Sequence, residues 1–233
     1  MTLSSLRERF SRVKTHIYDT GECQMHVHHD PRELHIDIAI CHEVQVLDAY
    51  RVRHLADSGF RPQIVVDIGA HIGTFTALAA KYFPEAAIYS FEPLKQHYRV
   101  LALNSPPRRG HATNLAVLGF YRQEEGRDLY PGNEFEHAFR TRQLSNAISV
   151  ERLFRKFKLP RIDFLKIDCE QSEVNIFREL DALDRLKDIE VIAGEWHFDT
   201  AKNELRSIVA KTHEVDLVDE GMWNHFFARR KRS

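Results

Sequence analysis

The amino-acid sequence predicts an α/β fold with a mostly parallel sheet, and two observations support this prediction. From about residue 62 onward, short apolar strands alternate with helical segments, which is the pattern of parallel strands joined by crossover helices. The first of these strands, residues 64–66, consists of isoleucine and valine alone. That composition is expected of a strand buried on both faces of a parallel sheet.

The elements of this main region follow in regular order. We expect further strands at 87–91, 112–118, 162–167 and 189–195, and helices at 74–82, 96–103, 149–157, 172–186 and 201–211. The last two strands, at 214–218 and 225–229, are separated by a short turn around Gly221 and predict an antiparallel edge. Residues 119–147 are polar and irregular, which is typical of a loop over a site.

Residues 1–60 predict a cap, and residues 61–233 predict the main domain. Residues 24–29 and 34–40 alternate in strand fashion around the turn-forming run Asp30-Pro31-Arg32-Glu33, which predicts a hairpin. From Glu43 to Leu55 the apolar residues mostly follow helical spacing, and Gly59 is a plausible end of that helix.

Composition restricts the class of protein. The chain has 233 residues, of which 43% are hydrophobic, and its formal net charge is −1. These values are ordinary for a globular protein, and the near-zero charge argues against a protein whose main work is to bind a phosphate backbone. The basic run at residues 229–232 is therefore interpreted as a solvated tail, and nucleic acid is not an expected partner.

The same composition bears on the compartment. No run approaches the length of about 18 apolar residues that a membrane span needs, and the charged N-terminus does not resemble a secretory signal. Cys23, Cys41 and Cys169 are far apart and form no C-x-x-C pair, which disfavours a disulfide framework and a structural zinc site. We expect a reducing, cytoplasmic location and no membrane partner.

The residues that follow the first two strands predict a nucleoside site. Ligands of open parallel sheets bind beyond the carboxyl ends of the strands, where this chain has the run from Asp67 to Gly73 and then Glu92. A dinucleotide favours G-x-G-x-x-G, whereas here Gly69 and Gly73 follow a leading carboxylate. That carboxylate would repel a pyrophosphate and suit an ammonium group, which favours S-adenosylmethionine over NAD as the cofactor.

Four motifs in order resemble one family. The runs VVDIGAHIGTF, YSFEP, FLKIDCEQSE and VIAGEWHF are similar to those of the FkbM family of S-adenosylmethionine-dependent methyltransferases, over roughly residues 60–228. The resemblance implies a Rossmann-like class I methyltransferase fold, with a seven-stranded mostly parallel sheet and an antiparallel edge strand. It also implies methylation of hydroxyl groups. His71 replaces the usual asparagine and Gln171 the usual glycine; histidine tolerates the positive φ that such a turn requires.

The resemblance also implies roles for individual residues. Cofactor-binding positions would be Asp67, Gly69, Ala70, His71 and Gly73 around the methionine, Glu92 and Pro93 at the ribose, and Asn114 and Ala116 at the adenine. Asp168 and Glu170 would face the transferable methyl group, followed by Glu195 and His197 after the next strand.

His197 is the first candidate for a general base, because the reference pKa of histidine, about 6.5, is close to neutral. The alternative is a structural histidine beside Trp196. Asp168 and Glu170 could instead bind the cofactor ammonium or position the acceptor. Glu173 is interpreted as the start of a helix, where a carboxylate favours the helix dipole, and Lys166 as the partner of a neighbouring carboxylate.

No metal is assigned from the sequence. His26 and His28 share one face of a predicted strand, but no third ligand follows at diagnostic spacing. Asp168 with Glu195 could hold Mg²⁺, although oxygen-only sites cannot be identified from spacing.

Together these observations predict a methyltransferase that uses S-adenosylmethionine to methylate a hydroxyl of a small molecule or sugar. Two alternatives stay open: N-methylation of an amine or protein side chain, and a non-catalytic module that binds S-adenosylmethionine. A homodimer through the exposed hairpin edge is also possible.

Overall fold

The computed structural model describes residues 13–119, 121–122, 127–128, 146–169, 172–197, 199–220 and 223–232. For residues 121–122, 127–128, 199–201, 219–220 and 223 it describes the backbone alone. The chain divides into two compact units, residues 1–114 and 115–233. The domain boundary predicted after residue 60 stays a prediction.

From residue 13 onward, where the structure describes it, the first unit contains a hairpin, four α-helices and three strands of the main sheet. The hairpin pairs β1 (Thr15–Asp19) with β2 (Gln24–His28). The elements that follow are α1 (Pro31–Cys41), a π-helical turn (His42–Val46), α2 (Val52–Asp57), β3 (Ile64–Ile68), α3 (Thr74–Tyr82), β4 (Ala87–Phe91), α4 (Lys95–Asn104) and β5 (Gly110–Thr113).

Within its described residues, the second unit contains the remaining strands of the main sheet and two small two-stranded pairs. Its elements are β6 (Ala116–Val117), β7 (Tyr121–Arg122), β8 (Arg127–Asp128), β9 (Ala147–Ile148), α5 (Val150–Phe157), β10 (Ile162–Ile167), α6 (Glu173–Ala182), a 3₁₀ turn (Leu186–Asp188), β11 (Ile189–Glu195), α7 (Asp199–Val209), β12 (His213–Glu220) and β13 (Trp223–Arg230).

The main sheet has seven strands in the order β12, β13, β11, β10, β3, β4 and β5. The pairs β3–β4, β4–β5 and β10–β11 are parallel, whereas β13 is antiparallel to both β11 and β12. This confirms the α/β fold with a mostly parallel sheet. The antiparallel strand lies second from the edge, because β12 returns to form the edge itself.

The predicted second strand of the N-terminal hairpin is wrong: residues 34–40 belong to α1. Asp30 is the N-cap of that helix, and its side chain accepts a hydrogen bond from the Arg32 N–H; Pro31 is at the start of the helix. Asp-Pro is typical of a turn but also of a helix start, since proline needs no N–H there. The hairpin uses the preceding strand, residues 15–19, as its second member.

The single helix predicted from Glu43 to Leu55 is also wrong. The helical segment ends at Val46, and Asp48 and Arg51 both adopt positive φ before α2 begins. The Asp48 carboxylate accepts the N–H groups of Arg53 and His54, two otherwise unbonded donors at the start of α2. Local hydrogen bonding by an aspartate therefore interrupts the apolar spacing that favoured one helix.

The strand predicted at 112–118 is divided in two. β5 ends at Thr113, and β6 pairs with β9 outside the main sheet. Most of the loop predicted at 119–147, and the turn at Gly221, lie outside the described residues. The helices predicted at 172–186 and 201–211 are shorter or shifted, at 173–182 and 199–209.

The interior of the main sheet explains why these strands form. All six residues of β10 are buried, and so are four of the five residues of β3. The side chain of Asn104, at the end of α4, accepts the His26 N–H and donates to the carbonyl oxygens of His26 and Ile72. This amide therefore links the hairpin to the loop after β3.

All three cysteines are free, as the sequence predicts. Among the helices that the structure describes, none is long and apolar enough to cross a membrane.

Candidate active site

The loop after β3 has the conformation that its glycines allow. Gly69 and Gly73 have φ of 78° and 91°, and His71 between them has φ of 48°. Glycine adopts this left-handed region readily, and histidine is one of the few other residues found there. The N–H groups of Gly69 and Ala70 both donate to the carbonyl oxygen of Phe91, at 3.1 and 3.0 Å, so the loop is attached to the end of β4.

Glu92 follows β4 and is held by two backbone donors. Its Oε2 accepts the His71 N–H at 2.9 Å, and its Oε1 accepts the Leu94 N–H at 2.7 Å. Hydrogen bonds to an ionised carboxylate are short and strong, so the side chain has a defined orientation. Each carboxylate oxygen has a second lone pair, which can accept a hydroxyl proton of a ligand.

Two further predicted residues, Asn114 and Asp67, lie at the same end of the first unit. The Asn114 amide donates to the carbonyl oxygens of Glu92 and Pro93, at 2.9 and 2.8 Å. The Asp67 carboxylate is fully buried, and its Oδ2 accepts a 2.7 Å hydrogen bond from the Thr76 hydroxyl. Asp67 thus supports the start of α3, and its contact with a cofactor ammonium stays a prediction.

A histidine cluster in the first unit was missed by sequence reasoning. The completely buried Asp37 carboxylate contacts both the N–H and the Nδ1 of His28, at 2.7 and 2.9 Å. His71 Nε2 lies 3.8 Å from the other Asp37 oxygen, and the rings of His71 and His97 are 4.2 Å apart. The hydrogen bond to Asp37 raises the pKa of His28, whereas burial lowers the pKa of His97.

A second cluster lies in the second unit, beyond the ends of β10 and β11. The Asp168 carboxylate contacts the buried Lys166 ammonium at 3.5 Å, so Lys166 partners a carboxylate as predicted. His197 lies between two carboxylates: its Nε2 is 3.8 Å from Asp168 Oδ1 and its Nδ1 is 3.2 Å from Glu173 Oε1. The predicted residues Asp168 and His197 are therefore brought together.

Glu173 is the member of this cluster whose role the sequence did not predict. It begins α6 as expected, but its side chain is only 3% exposed, and Oε1 accepts the Cys169 N–H at 2.8 Å. Burial, followed by the neighbouring carboxylates of Glu173 and Asp168, raises the pKa of the Cys169 thiol well above its usual range, which disfavours the thiolate form. The feature of the sequence that could have indicated this role is the presence of a second glutamate three residues after Glu170.

A comparison with known protein families identifies the family of this chain. Residues 67–220 match the model of the methyltransferase FkbM domain, which is more than half of the chain. The chain belongs to this family. It is accordingly a methyltransferase that depends on S-adenosylmethionine.

A curated relative from Beauveria bassiana (strain ARSEF 2860), named Methyltransferase 1, is 24% identical and covers 74% of this chain and 80% of its own length. Among solved structures, an O-methyltransferase from Bacillus cereus in complex with SAH is 13% identical, with a TM-score of 0.48 and coverage of 85% and 88%. A ribosomal protein L11 methylase from Lactobacillus delbrueckii subsp. bulgaricus is 12% identical, with a TM-score of 0.45 and coverage of 79% and 80%.

In this FkbM-domain protein, the structure describes two further predicted site residues, Ala116 and Glu195. Ala116 belongs to the second unit, where it is buried with Leu118 and Ala147. Glu195 is the last residue of β11 and is half-buried. It pairs with His225 of the neighbouring strand β13. Glu170 lies outside the described residues, as does Gln171. The roles assigned to these positions stay predictions.

Metal-type ligands converge at one place among the described side chains: Asp168, Glu173 and His197 each offer an atom within 4.8 Å of the others. The Asp168–Glu195 and His26–His28 pairs considered from the sequence do not form such a group in the described part of the chain. His28 contacts Asp37, and His26 Nδ1 lies 3.1 Å from the Thr15 hydroxyl.

Proposed function

We propose that this protein methylates a hydroxyl group of a small molecule or sugar, with His197 as the general base. The observation that carries the proposal is the imidazole of His197 within ion-pair distance of two carboxylates. A hydroxyl must lose its proton as it is methylated, and imidazole titrates close enough to neutral pH to accept that proton.

The residues of the first unit fit S-adenosylmethionine. When bound, this cofactor supplies a methyl group on a positively charged sulfur. The Glu92 carboxylate, oriented by the N–H groups of His71 and Leu94, has the acceptor chemistry that two ribose hydroxyls require. The loop from Gly69 to Gly73 presents backbone at positive φ, where a ligand can approach closely.

The residues of the second unit would do the proton chemistry. His197 accepts the acceptor's proton, and the Asp168 and Glu173 carboxylates stabilise the imidazolium that results. Asp168 also lies 3.5 Å from the buried ammonium of Lys166, which is its ion-pair partner. A general base contributes roughly 10²–10⁴-fold to rate, so loss of the His197 imidazole should cost activity in that range.

Thermal unfolding with S-adenosylmethionine, S-adenosylhomocysteine or NAD⁺ tests the cofactor assignment. A ligand at 100 times its dissociation constant adds about 2.7 kcal/mol of stability, which is a measurable shift in Tm. We expect the two sulfur nucleosides to raise Tm and NAD⁺ to leave it unchanged. Stabilisation by NAD⁺ alone would contradict the assignment.

Transfer of a radiolabelled methyl group to matched panels of alcohols, sugars and primary amines tests the acceptor class. We expect label in hydroxyl acceptors, with a rate that rises with pH as His197 becomes neutral and that His197→Asn lowers about 10²–10⁴-fold. Label in amines alone would contradict the proposal in favour of N-methylation. Cofactor binding without transfer to any panel would favour the non-catalytic module.

A further inference from the structure

We infer that two amide side chains, Gln45 and Asn104, are positioning residues for the cofactor. They hold the loop of residues 69–74 against the N-terminal segment of residues 13–57, and they thereby set the affinity for S-adenosylmethionine. This role rests on the proposed function, in which the loop is part of the cofactor site. The N-terminal segment precedes the matched family domain, which begins at residue 67.

Gln45 links the turn of the hairpin to the start of α3. It lies in the π-helical turn and is completely buried. Its Oε1 accepts a hydrogen bond from the Thr20 hydroxyl at 2.7 Å, and its Nε2 donates to the Thr74 carbonyl oxygen at 3.0 Å. Because both ends of this buried amide are bonded, its orientation is defined, and the last residue of the loop is held by the N-terminal segment.

Asn104 makes a second connection from the end of α4. Its Oδ1 accepts the His26 N–H at 2.8 Å, and its Nδ2 donates to the carbonyl oxygens of His26 and Ile72 at 2.9 and 2.7 Å. All three bonds are made with the backbone, so they restrict the path of the chain itself. The two amides together hold the carbonyl groups on either side of Gly73, which has φ of 91°.

The side chain of Ile72 packs into the core of the N-terminal segment. Ile72 is completely buried in an apolar cluster with Val100 of α4 and three residues of that segment, namely Met25, Val27 and Cys41. The loop therefore cannot move away from the N-terminal segment without exposing this cluster to water, which is unfavourable.

The backbone that the amides hold also orients the proposed ribose carboxylate. His71, one residue before Ile72, donates its N–H to Glu92 Oε2 at 2.9 Å. A ligand that binds one conformation of a loop has a lower apparent affinity when that conformation is less populated. Loss of one hydrogen bond changes such an equilibrium by roughly 3- to 10-fold.

Hydrogen exchange of the full chain without cofactor measures how strongly the loop is held. The N–H groups of Ala70 and Gly73 report on it, since they donate to the carbonyl oxygens of Phe91 and Ala70. Gln45→Met and Asn104→Leu remove the hydrogen bonds at similar volume, and we expect each to speed this exchange about 3- to 10-fold. The two variants act from different elements, so either one decides the question if the other fails to fold.

Calorimetry with S-adenosylmethionine measures the affinity, and Asp48→Asn provides the matched control. We expect Gln45→Met and Asn104→Leu each to raise Kd about 3- to 10-fold. Asp48 belongs to the same N-terminal segment, and among the described residues its carboxylate contacts Arg53 and His54 rather than the loop. Asp48→Asn should lower the free energy of unfolding and leave both Kd and the exchange of the loop unchanged.

Three results would overturn the role of the two amides. They are unchanged exchange of the loop in Gln45→Met and Asn104→Leu, an unchanged Kd in both while Glu92→Gln raises it, and a rise in Kd of the same size in Asp48→Asn. Failure of the proposed function looks different: the wild type would not bind S-adenosylmethionine, or Glu92→Gln would leave Kd unchanged, whatever the exchange rates of the loop.

Discussion

The two units each contain a histidine beside a carboxylate, and the two pairs differ in burial. In the first unit, the Asp37 side chain is fully buried and bonds both the backbone and the ring of His28, whose side chain is 11% exposed. In the second unit, Asp168 is 26% and His197 17% exposed, and both lie beyond the ends of strands. The carboxylate of the first pair is therefore closed to solvent, whereas the carboxylate of the second pair is partly open to it.

The physical reason lies in the cost of a buried charge. A carboxylate with no exposure depends entirely on its protein partners. Removal of one partner therefore lowers the free energy of unfolding strongly. A partly exposed group keeps solvent as a substitute partner, and it can change protonation state at lower cost. The comparison teaches that the same pairing of histidine and aspartate has a different energetic role when the carboxylate is fully buried, as in Asp37, than when it is partly exposed, as in Asp168.

The largest effect expected is on stability. His28→Ala leaves the Asp37 charge buried without its imidazole, which should lower the free energy of unfolding by about 3–5 kcal/mol. His197→Ala removes a partly exposed ring and should cost about 1 kcal/mol. Urea denaturation of both variants measures the difference. Equal losses would break the comparison, because burial would then not distinguish the two pairs.

A smaller effect is expected on cofactor affinity when Glu92 is changed. Glu92→Gln keeps the shape of the side chain but removes the charge that hydroxyl donors bind, which should weaken S-adenosylmethionine binding by about 1.5–3 kcal/mol. That loss corresponds to a rise in Kd of about 10- to 150-fold by calorimetry. Glu85→Gln, at a side chain that is 74% exposed, is the control. An unchanged Kd in Glu92→Gln would remove Glu92 from the ribose role.

The smallest effect is the pH dependence of stability that the first histidine cluster creates. Asp37 raises the pKa of His28 above 6.5, so its stabilisation is complete below pH 6.5 and is lost as the pH rises through the higher folded pKa. Burial lowers the pKa of His97 below 6.5, so its contribution is complete above pH 6.5 and is lost as the pH falls through the lower folded pKa. Stability from these two groups should therefore be highest near pH 6.5.

Urea denaturation between pH 5 and pH 8.5 tests this dependence. Asp37→Asn should flatten the decline on the alkaline side and leave the decline on the acidic side. His197→Ala should alter the decline on either side by less than Asp37→Asn alters the decline on the alkaline side. That difference would sharpen the contrast between the two units. A wild-type stability that rises steadily with pH would contradict the assignment for His28.

The sequence predicted those features that depend on local patterns. The strands at residues 64–68, 87–91, 162–167 and 189–195 are apolar runs bounded by turns, and Glu92 was found because it directly follows one of them. At Asp30-Pro31 the sequence predicts a hairpin turn, whereas the structure has the start of a helix. The same two residues are favoured in turns and at helix N-termini.

The first histidine cluster, and the contact between Glu173 and His197 in the second, could not be predicted because they depend on tertiary contacts. His28 meets Asp37 only because β2 and α1 pack together, and His71 and His97 come from two later elements. The sequence predicts His197 as a base and Glu173 as the start of a helix. Their contact joins residues on different elements, which periodicity and motif spacing do not report.

The amide of Asn104 has a consequence for the order of folding. It holds the backbone of His26 across a separation of 78 residues. During synthesis, the hairpin strand leaves the ribosome long before the side chain that satisfies it, and closing so long a loop has an entropic cost that must be met first. The backbone of His26 is thus made well before its partner in Asn104, and the same amide adds its bond to the Ile72 carbonyl oxygen in the loop after β3.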